Sequence, residues 1–166
     1  MPLHFEILMD RHENPRKCTI LPQKARSDFR IRYFAGPQPI PAFEADCLLH
    51  IDGEDLADVK HGECGSVALI DCNWKKVEGA LKKVVRPLPR LVRIPEGFET
   101  AYPRRNKEGK DPEQGLATIE ALFIAAAFLG TWDESILDKY HFKQAFLDRN
   151  EMLWKKYALG PYGKSI

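Results

Sequence analysis

The stretch SVALIDCNW, residues 66–74, decides the fold of this chain. Its first five residues are small or apolar, which is typical of a buried strand. Asp71 follows that strand, and Asn73 can cap a helix over residues 74–85, whose apolar residues recur on one face. A buried strand that passes directly into a helix is the repeating unit of α/β proteins.

Strands and helices alternate along the rest of the chain in the same way. The further predicted elements are strands at 3–9, 30–34, 47–51 and 91–94, and helices at 54–60, 117–129, 133–140 and 143–157. Polar segments rich in proline and glycine, at 11–22 and 96–114, are predicted to be loops. We therefore predict a single domain over 1–166 with an α/β fold, a mainly parallel sheet flanked by helices.

The composition is that of a globular protein, with 166 residues, 44% hydrophobic and 30% charged. No apolar run approaches the ~20 residues that cross a bilayer, and the N-terminus lacks the features of a secretory signal. We therefore expect a cytoplasmic protein with no membrane partner. In that compartment cysteines without tight pairwise spacing are expected to be reduced thiols. These are Cys18, Cys47, Cys64 and Cys72.

The net charge of +1 conceals three charged blocks. Residues 11–32 carry seven basic and two acidic side chains, residues 44–63 seven acidic and one basic, and residues 75–93 seven basic and one acidic. Such blocks often fold onto different faces, so the two basic blocks can form one phosphate-binding surface. The alternative is solvated charge without a partner.

Asp71 and Trp74 lie where ligands bind in open α/β sheets, beyond the carboxyl end of a strand and at a helix N-terminus. Alternatively, Asp71 only caps the helix and Trp74 packs in the core. The segment 16–19 (RKCT) is a second candidate, because a hydroxyl and consecutive N–H groups in a basic loop suit an anion. It is also typical of a simple Ser/Thr turn.

Several other sites are disfavoured. Neither G-x-G-x-x-G nor G-x-x-x-x-G-K-[ST] occurs, so dinucleotide and P-loop sites are not predicted. The segment 61–64 (HGEC) lacks a second pair of metal ligands at suitable spacing, so no metal is expected. A receiver-like phosphoacceptor at Asp71 would need nearby carboxylates for Mg²⁺, and Asp10 and Glu13 are the only candidates at another strand end.

Three groups of residues together resemble one family: 14–19 (NPRKCT), 67–74 (VALIDCNW), and 88–92 (LPRLV) leading to 116–121 (LATIEA). Their order and spacing are similar to those of the small-subunit ribosomal RNA aminocarboxypropyltransferases. That family transfers a 3-amino-3-carboxypropyl group from S-adenosylmethionine (SAM) to a modified pseudouridine during ribosome biogenesis. The resemblance implies a SPOUT-like fold with a trefoil knot, no metal, and a monomer. It also implies an RNA-facing part at about 1–65 and a SAM-binding knot at about 66–166.

The resemblance also implies roles for single residues. Asp71 is the candidate catalytic base and is also expected among the cofactor-binding residues. Thr19 receives the SAM carboxylate, the Ile70 backbone holds the ribose, and Trp74 covers the methionine end. Adenine is expected on the backbone at Leu91, Gly115 and Leu116. Phosphates of the RNA are expected to bind the basic blocks at Arg16, Lys17, Lys75, Lys76, Arg90 and Arg93.

The chain departs from the family pattern at several positions. Asn14 and Ile20 stand where the family usually has Asp and Gly, and Ala117 replaces Ser. The segment 94–115 is longer than the family's Asn-Pro-rich segment. These departures leave open another RNA or another nucleophile. The alternatives are a SPOUT-type RNA methyltransferase and a non-catalytic RNA-binding protein of ribosome assembly.

Overall fold

The computed structural model describes residues 2–12, 14–103 and 115–163; the side chains of Lys17 and Trp74 are outside this description. The strands are β1 (His4–Asp10), β2 (Phe29–Phe34), β3 (Cys47–Asp55), β4 (Ser66–Asp71) and β5 (Arg90–Arg93). The α-helices are α1 (Trp74–Lys83), α2 (Thr118–Phe128), α3 (Lys143–Arg149) and α4 (Glu151–Lys156). Short 3-10 turns occupy Pro15–Lys17, Leu21–Gln23, Leu56–Asp58, Glu134–Leu137 and Gly160–Tyr162.

The five strands form one parallel sheet in the order β2-β1-β4-β3-β5. At its centre β1 and β4 run side by side in register, with Met9 opposite Asp71. Strands from before and after residue 65 therefore belong to the same sheet. The predicted α/β fold with a parallel sheet is confirmed, and the knot stays a prediction.

One face of the sheet is covered by α2, whose residues Ile119–Phe128 are all buried. The helix is apolar on every side because it packs between two layers. Ile7 and Val67 of the sheet belong to its core cluster, as do Phe146 and Trp154 of the C-terminal helices. The first turn of α2 thereby lies at the carboxyl end of β4, where the Thr118 hydroxyl donates to Asp71.

The opposite face of the sheet is covered by α1. Ala80, Leu81 and Val84 pack with Leu8 and Leu48 in a second, smaller core cluster. Helices on both faces are the usual arrangement of a parallel sheet, because crossover connections place them there.

Glu120 is a fully buried carboxylate that joins three segments to α2. Its Oε1 accepts hydrogen bonds from the Thr100 hydroxyl and the Ala117 N–H, both at 2.7 Å. Its Oε2 accepts from the Ala101 N–H and the Tyr140 hydroxyl, both at 2.9 Å. The carboxylate thus fixes the entry to α2. Residues 104–114 of the predicted 96–114 loop lie outside the described residues.

Three predicted elements differ in the structure. β3 does not end at residue 51 but continues, with an irregularity, to Asp55, and only a 3-10 turn replaces the predicted 54–60 helix. Glycine permits this continuation, because a side chain at Gly53 would collide with the backbone of β5. The predicted 143–157 helix divides at Asn150 into α3 and α4, and the 133–140 helix is a 3-10 turn.

The expectation of four reduced cysteines is wrong for Cys47 and Cys64, which form a disulfide with their Cα atoms 6.4 Å apart. Cys18 and Cys72 take no part in a disulfide among the described residues. The pairing follows from the sheet, because Cys47 begins β3 opposite Val67, close to the loop that carries Cys64. A separation of 17 residues gave no sign of this in the sequence. Among the described helices, none is long and apolar enough to cross a membrane.

Candidate functional site

The candidate site is centred on Asp71, the last residue of β4. Its Oδ1 accepts a hydrogen bond from the Thr118 hydroxyl at 2.8 Å, and its Oδ2 accepts one from the Cys18 thiol at 3.8 Å. Thr118 and Cys18 lie 47 and 53 positions from Asp71 in the chain, and the fold brings both to one carboxyl group. The alternative in which Asp71 caps α1 is wrong, because Asn73 is the cap and accepts the Lys75 N–H at 3.1 Å.

Thr19 belongs to the same cluster. Its Oγ1 accepts the N–H of Ile119, in the first turn of α2, at 3.2 Å. A hydroxyl that accepts one hydrogen bond can still donate its own proton to a ligand. The contact joins the 16–19 segment to α2 rather than closing a local turn, and the binding of a ligand by that segment stays a prediction.

Cys18 is held in this cluster as a neutral thiol. Burial raises the pKa of Cys18, and the neighbouring Asp71 carboxylate raises it further, while N–H groups of the following turn offset part of the effect. The protonated thiol is the form that donates to a carboxylate. Cys18 is therefore suited to orienting Asp71 and unsuited to nucleophilic attack at neutral pH.

The residues expected around the adenosine lie close to this edge of the sheet but are not all neighbours. Ile70 precedes Asp71, and its half-buried side chain packs on the α1 side together with that of Leu91. β3 separates their two strands. Leu116 packs on the α2 side, after the buried Gly115. Their contacts with adenine stay a prediction, as does the role of Trp74, whose side chain is outside the described residues.

Charged blocks predicted on different faces instead meet at the β3–β5 edge. Arg90 binds Glu54 through Nε at 2.9 Å and Glu63 through Nη1 at 2.7 Å, and Arg93 lies 3.6 Å from Asp55. The prediction of separate faces is wrong for these two arginines. Their acidic partners compete with phosphate, so the expected binding of RNA here loses support.

The remaining cations of the predicted RNA surface lie nearer to Asp71. Arg16 and Lys75 are exposed, and Lys76 is exposed as well although its Nζ lies 3.3 Å from Asp10. Lys17 belongs to the 3-10 turn beside Arg16. Their contact with RNA remains a prediction, and these four positions flank the edge of the sheet where Asp71 lies.

Of the two carboxylates expected for a phosphoacceptor site, Asp10 does not join Asp71. Asp10 follows Met9, which is in register with Asp71, and successive strand residues point to opposite faces. The Asp10 carboxylate therefore lies on the α1 side of the sheet, and Glu13 is outside the described residues.

The 61–64 segment does not form a metal site either, because Cys64 is in the disulfide and Glu63 binds an arginine. Elsewhere among the described residues, His50, Asp52 and Glu78 bring possible ligand atoms within 4.8 Å of one another. Both ring nitrogens of His50 already have protein partners, the Asp52 N–H at 3.1 Å and the Glu78 carboxylate at 2.8 Å.

The sequence did not reveal the two donors to Asp71. Thr118 and Cys18 lie within the motifs that carry the family resemblance, but no local pattern in the chain indicates that their side chains meet one carboxyl group. Only the crossover connections of the parallel sheet bring them together.

No protein-family model matches the chain, and no curated protein matches it. Among solved structures, the chain is similar to the SAM-dependent rRNA:acp-transferase Tsr3 from Vulcanisaeta distributa. The two are 22% identical, the match covers 95% of this chain and 84% of the other, and the TM-score is 0.63. The resemblance predicted from the sequence is therefore confirmed at the level of the fold, which this chain shares with a SAM-dependent rRNA:acp-transferase.

Proposed function

We propose that this protein transfers the 3-amino-3-carboxypropyl group of SAM to a uridine or pseudouridine nitrogen in ribosomal RNA. The observation that carries the proposal is the convergence at Asp71. Cys18 and Thr19, Asp71 itself, and Thr118 and Ile119 come from the three motifs that resemble the family, and hydrogen bonds join them into one cluster. The shared fold with an acp-transferase supports the same conclusion.

The side chains of the cluster suit SAM. The Thr19 hydroxyl can donate to a carboxylate, and the Asp71 carboxyl group can accept from N–H groups. Ile70 and Leu116 are half-buried and offer aliphatic surface to an adenosine. We assign the methionine end of SAM to Trp74 and Thr19, the ribose to Ile70, and the adenine to the backbone at Leu91, Gly115 and Leu116.

The reaction forms a C–N bond and breaks a C–S bond. The lone pair of a base nitrogen attacks Cγ of the methionine part, and the electron pair of the breaking bond stays on sulfur, so methylthioadenosine leaves. The nitrogen loses its proton, and Asp71 is placed to accept it. Such general-base help contributes typically ~10²–10⁴ in rate. Thr118 and Cys18 hold the carboxyl group in one orientation for this task.

The RNA must present an unstacked base, because a nitrogen inside a duplex cannot reach the cofactor. A loop or single strand is therefore the expected target. We assign its phosphates to Arg16, Lys17, Lys75 and Lys76, which flank the carboxyl edge of the sheet. We further propose that the protein acts as a monomer, in the cytoplasm, where it meets ribosomal RNA.

The test compares two forms of SAM, one radiolabelled in the carboxyl group and the other in the methyl group, each incubated with purified protein and ribosomal RNA. Aminocarboxypropyl transfer moves the carboxyl label to RNA and leaves the methyl label on methylthioadenosine. Methyl transfer gives the reverse pattern and would contradict the proposal, as would the absence of any transfer.

A matched pair of variants assigns the base. Asp71→Asn keeps the size of the side chain and is expected to retain SAM binding while carboxyl-label transfer falls at least tenfold. Arg90→Ala, which removes a side chain already bound to Glu54 and Glu63, is expected to leave transfer unchanged. Equal transfer by Asp71→Asn and wild type would remove Asp71 as the base.

A further inference from the structure

A cavity opens at the same edge of the sheet as Asp71, on the opposite face. It has a volume of about 330 Å³ and lies between β1, the end of β2 and α1. That volume is at the small end of ligand pockets, with room for a single nucleoside. Its walls are the small residues Ala35, Gly36, Gly79 and Ala80 together with Phe34.

The polar groups of this cavity are unevenly placed. Asp10 is 5% exposed and is one of the residues that line the cavity. Its Oδ1 accepts the His12 N–H at 3.0 Å, and its Oδ2 accepts the Lys76 ammonium at 3.3 Å. Each oxygen of a carboxylate has two acceptor positions, so both can accept a further N–H donor. Burial acts to raise the pKa of Asp10, but the His12 N–H and Lys76 outweigh it, so the pKa lies below its ordinary value.

The cations lie at the rim. Lys76 is 59% exposed at its side chain. Lys83 donates to the Gly36 carbonyl at 2.7 Å, and its ammonium lies 5.5 Å from the centre of the Phe34 ring. A ligand that suits this arrangement has an N–H edge that enters toward Asp10 and a negative charge that stays outside beside the lysines. A free phosphate does not fit, because it would meet the carboxylate.

We propose that this cavity binds one unpaired nucleotide of the RNA substrate, with its base inside and its phosphate at the lysine rim. The base is one with N–H donors directed to Asp10: the amino group of cytosine, or the imino and amino groups of guanine. Uracil has a single N–H donor between two carbonyl groups, which a carboxylate repels.

The position of the cavity fits a nucleotide that flanks the modified one. Asp10 follows Met9, the register partner of Asp71, so the two carboxylates lie at one edge of the sheet on opposite faces. An RNA strand that passes over this edge can place one base at Asp71 and a neighbour in the cavity. The inference rests on the proposed function for its RNA partner, and it adds a determinant of sequence specificity.

Gly79 is the best position for a variant that fills the cavity. It lies inside α1, and a Cβ at this position meets nothing within 4 Å. Gly79→Leu therefore fills the cavity with a residue of better helix propensity, and Gly79→Ala is the matched control that changes the backbone in the same way. Thermal unfolding of both variants verifies that they fold.

The test is an amide chemical-shift titration of the whole protein, without SAM, with GMP, CMP, UMP and inorganic phosphate. We expect GMP and CMP to shift residues around the cavity and to bind at least about fivefold more tightly than UMP or phosphate. Gly79→Leu should weaken this binding at least tenfold, and Gly79→Ala should keep it. Asp10→Asn should abolish the preference over UMP, because an amide offers both a donor and an acceptor.

Phosphate binding as tight as that of GMP, equal binding of all nucleotides, or undiminished binding by Gly79→Leu would overturn the inference. These outcomes are independent of the proposed function. If the label of SAM reaches RNA equally well with Gly79→Leu and with wild type at limiting RNA, the transferase stands and the nucleotide subsite does not. If nucleotides bind as expected but no label is transferred, the subsite stands alone.

Discussion

Glu120→Gln is predicted to lower the free energy of unfolding by an amount that follows from the four hydrogen bonds of Glu120. Each carboxylate oxygen accepts one backbone N–H and one hydroxyl hydrogen bond. Whichever oxygen becomes the amide nitrogen, one N–H and one hydroxyl lose their acceptor. The hydroxyl can rotate, but the N–H cannot. Because one buried N–H is left without an acceptor, at ~1–3 kcal/mol for an unsatisfied buried group, the expected loss in the free energy of unfolding is about 1–3 kcal/mol.

The assay is urea unfolding followed by circular dichroism. With a slope of ~2 kcal/mol/M, within the range for a small protein, this loss corresponds to a fall in the urea midpoint of about 0.5–1.5 M at unchanged slope. Tyr140→Phe is the matched control. It removes one donor and leaves the carboxylate with three, so it should cost only ~0.5–1.5 kcal/mol.

The double variant tests the mechanism. If the amide nitrogen of the introduced glutamine replaces Oε2, removal of the Tyr140 hydroxyl should cost less than it does in the wild type, because the hydroxyl has already lost its acceptor; if the nitrogen replaces Oε1, the two changes should be additive. A loss below ~1 kcal/mol for Glu120→Gln, against the ~1–3 kcal/mol expected of one orphaned N–H, would refute the reasoning.

Three further predictions concern the site. Thr118→Val removes the hydroxyl donor to Asp71 and should slow transfer about tenfold, the equivalent of ~1.4 kcal/mol. Thr118→Ser keeps the hydroxyl and should transfer at the wild-type rate. Equal rates of the three proteins would show that the contact is without effect. Alkylation of Cys18, followed by peptide mass spectrometry over pH, should have its midpoint above the ordinary thiol value, because a raised pKa delays the thiolate to higher pH. Asp71→Asn should move that midpoint down, and an unmoved midpoint would show that the carboxylate does not act on the thiol. Arg16→Ala should reduce the slope of log affinity for single-stranded RNA against log salt concentration by about 0.7. Arg90→Ala should not change this slope, because Arg90 is already bound by two carboxylates. A change of slope for Arg90→Ala and none for Arg16→Ala would show that Arg90 binds phosphate instead.

Much of the fold could be predicted because it follows from local patterns. The apolar run before Asp71 and the periodic helix after it gave β4 and α1 within two residues. The alternation of strands and helices gave the parallel sheet. β3 was predicted too short because its continuation depends on contact with β5, where Gly53 lets two backbones approach closely. Such a contact between segments distant in sequence has no local signal.

The residues of the site were likewise predictable only where a local pattern marks them. Position alone marked Asp71 as a candidate, because it ends a buried strand before a helix. Its partners Cys18 and Thr118 lie far away in the chain, and only crossover connections bring them together. The acidic partners of Arg90 could not be predicted either, because the charge of a segment does not indicate which strands will be neighbours. The cavity beside Asp10 depends on small residues from two elements and could not be inferred from either.

Calorimetric titration with SAM tests the central claim, that the three motifs form one SAM site. Wild type is predicted to bind SAM with micromolar affinity. Thr19→Val, which removes the hydroxyl beside α2, is predicted to weaken binding at least tenfold, and Thr19→Ser to retain it. No heat of binding at two temperatures, or equal affinity of Thr19→Val and wild type, would contradict the account.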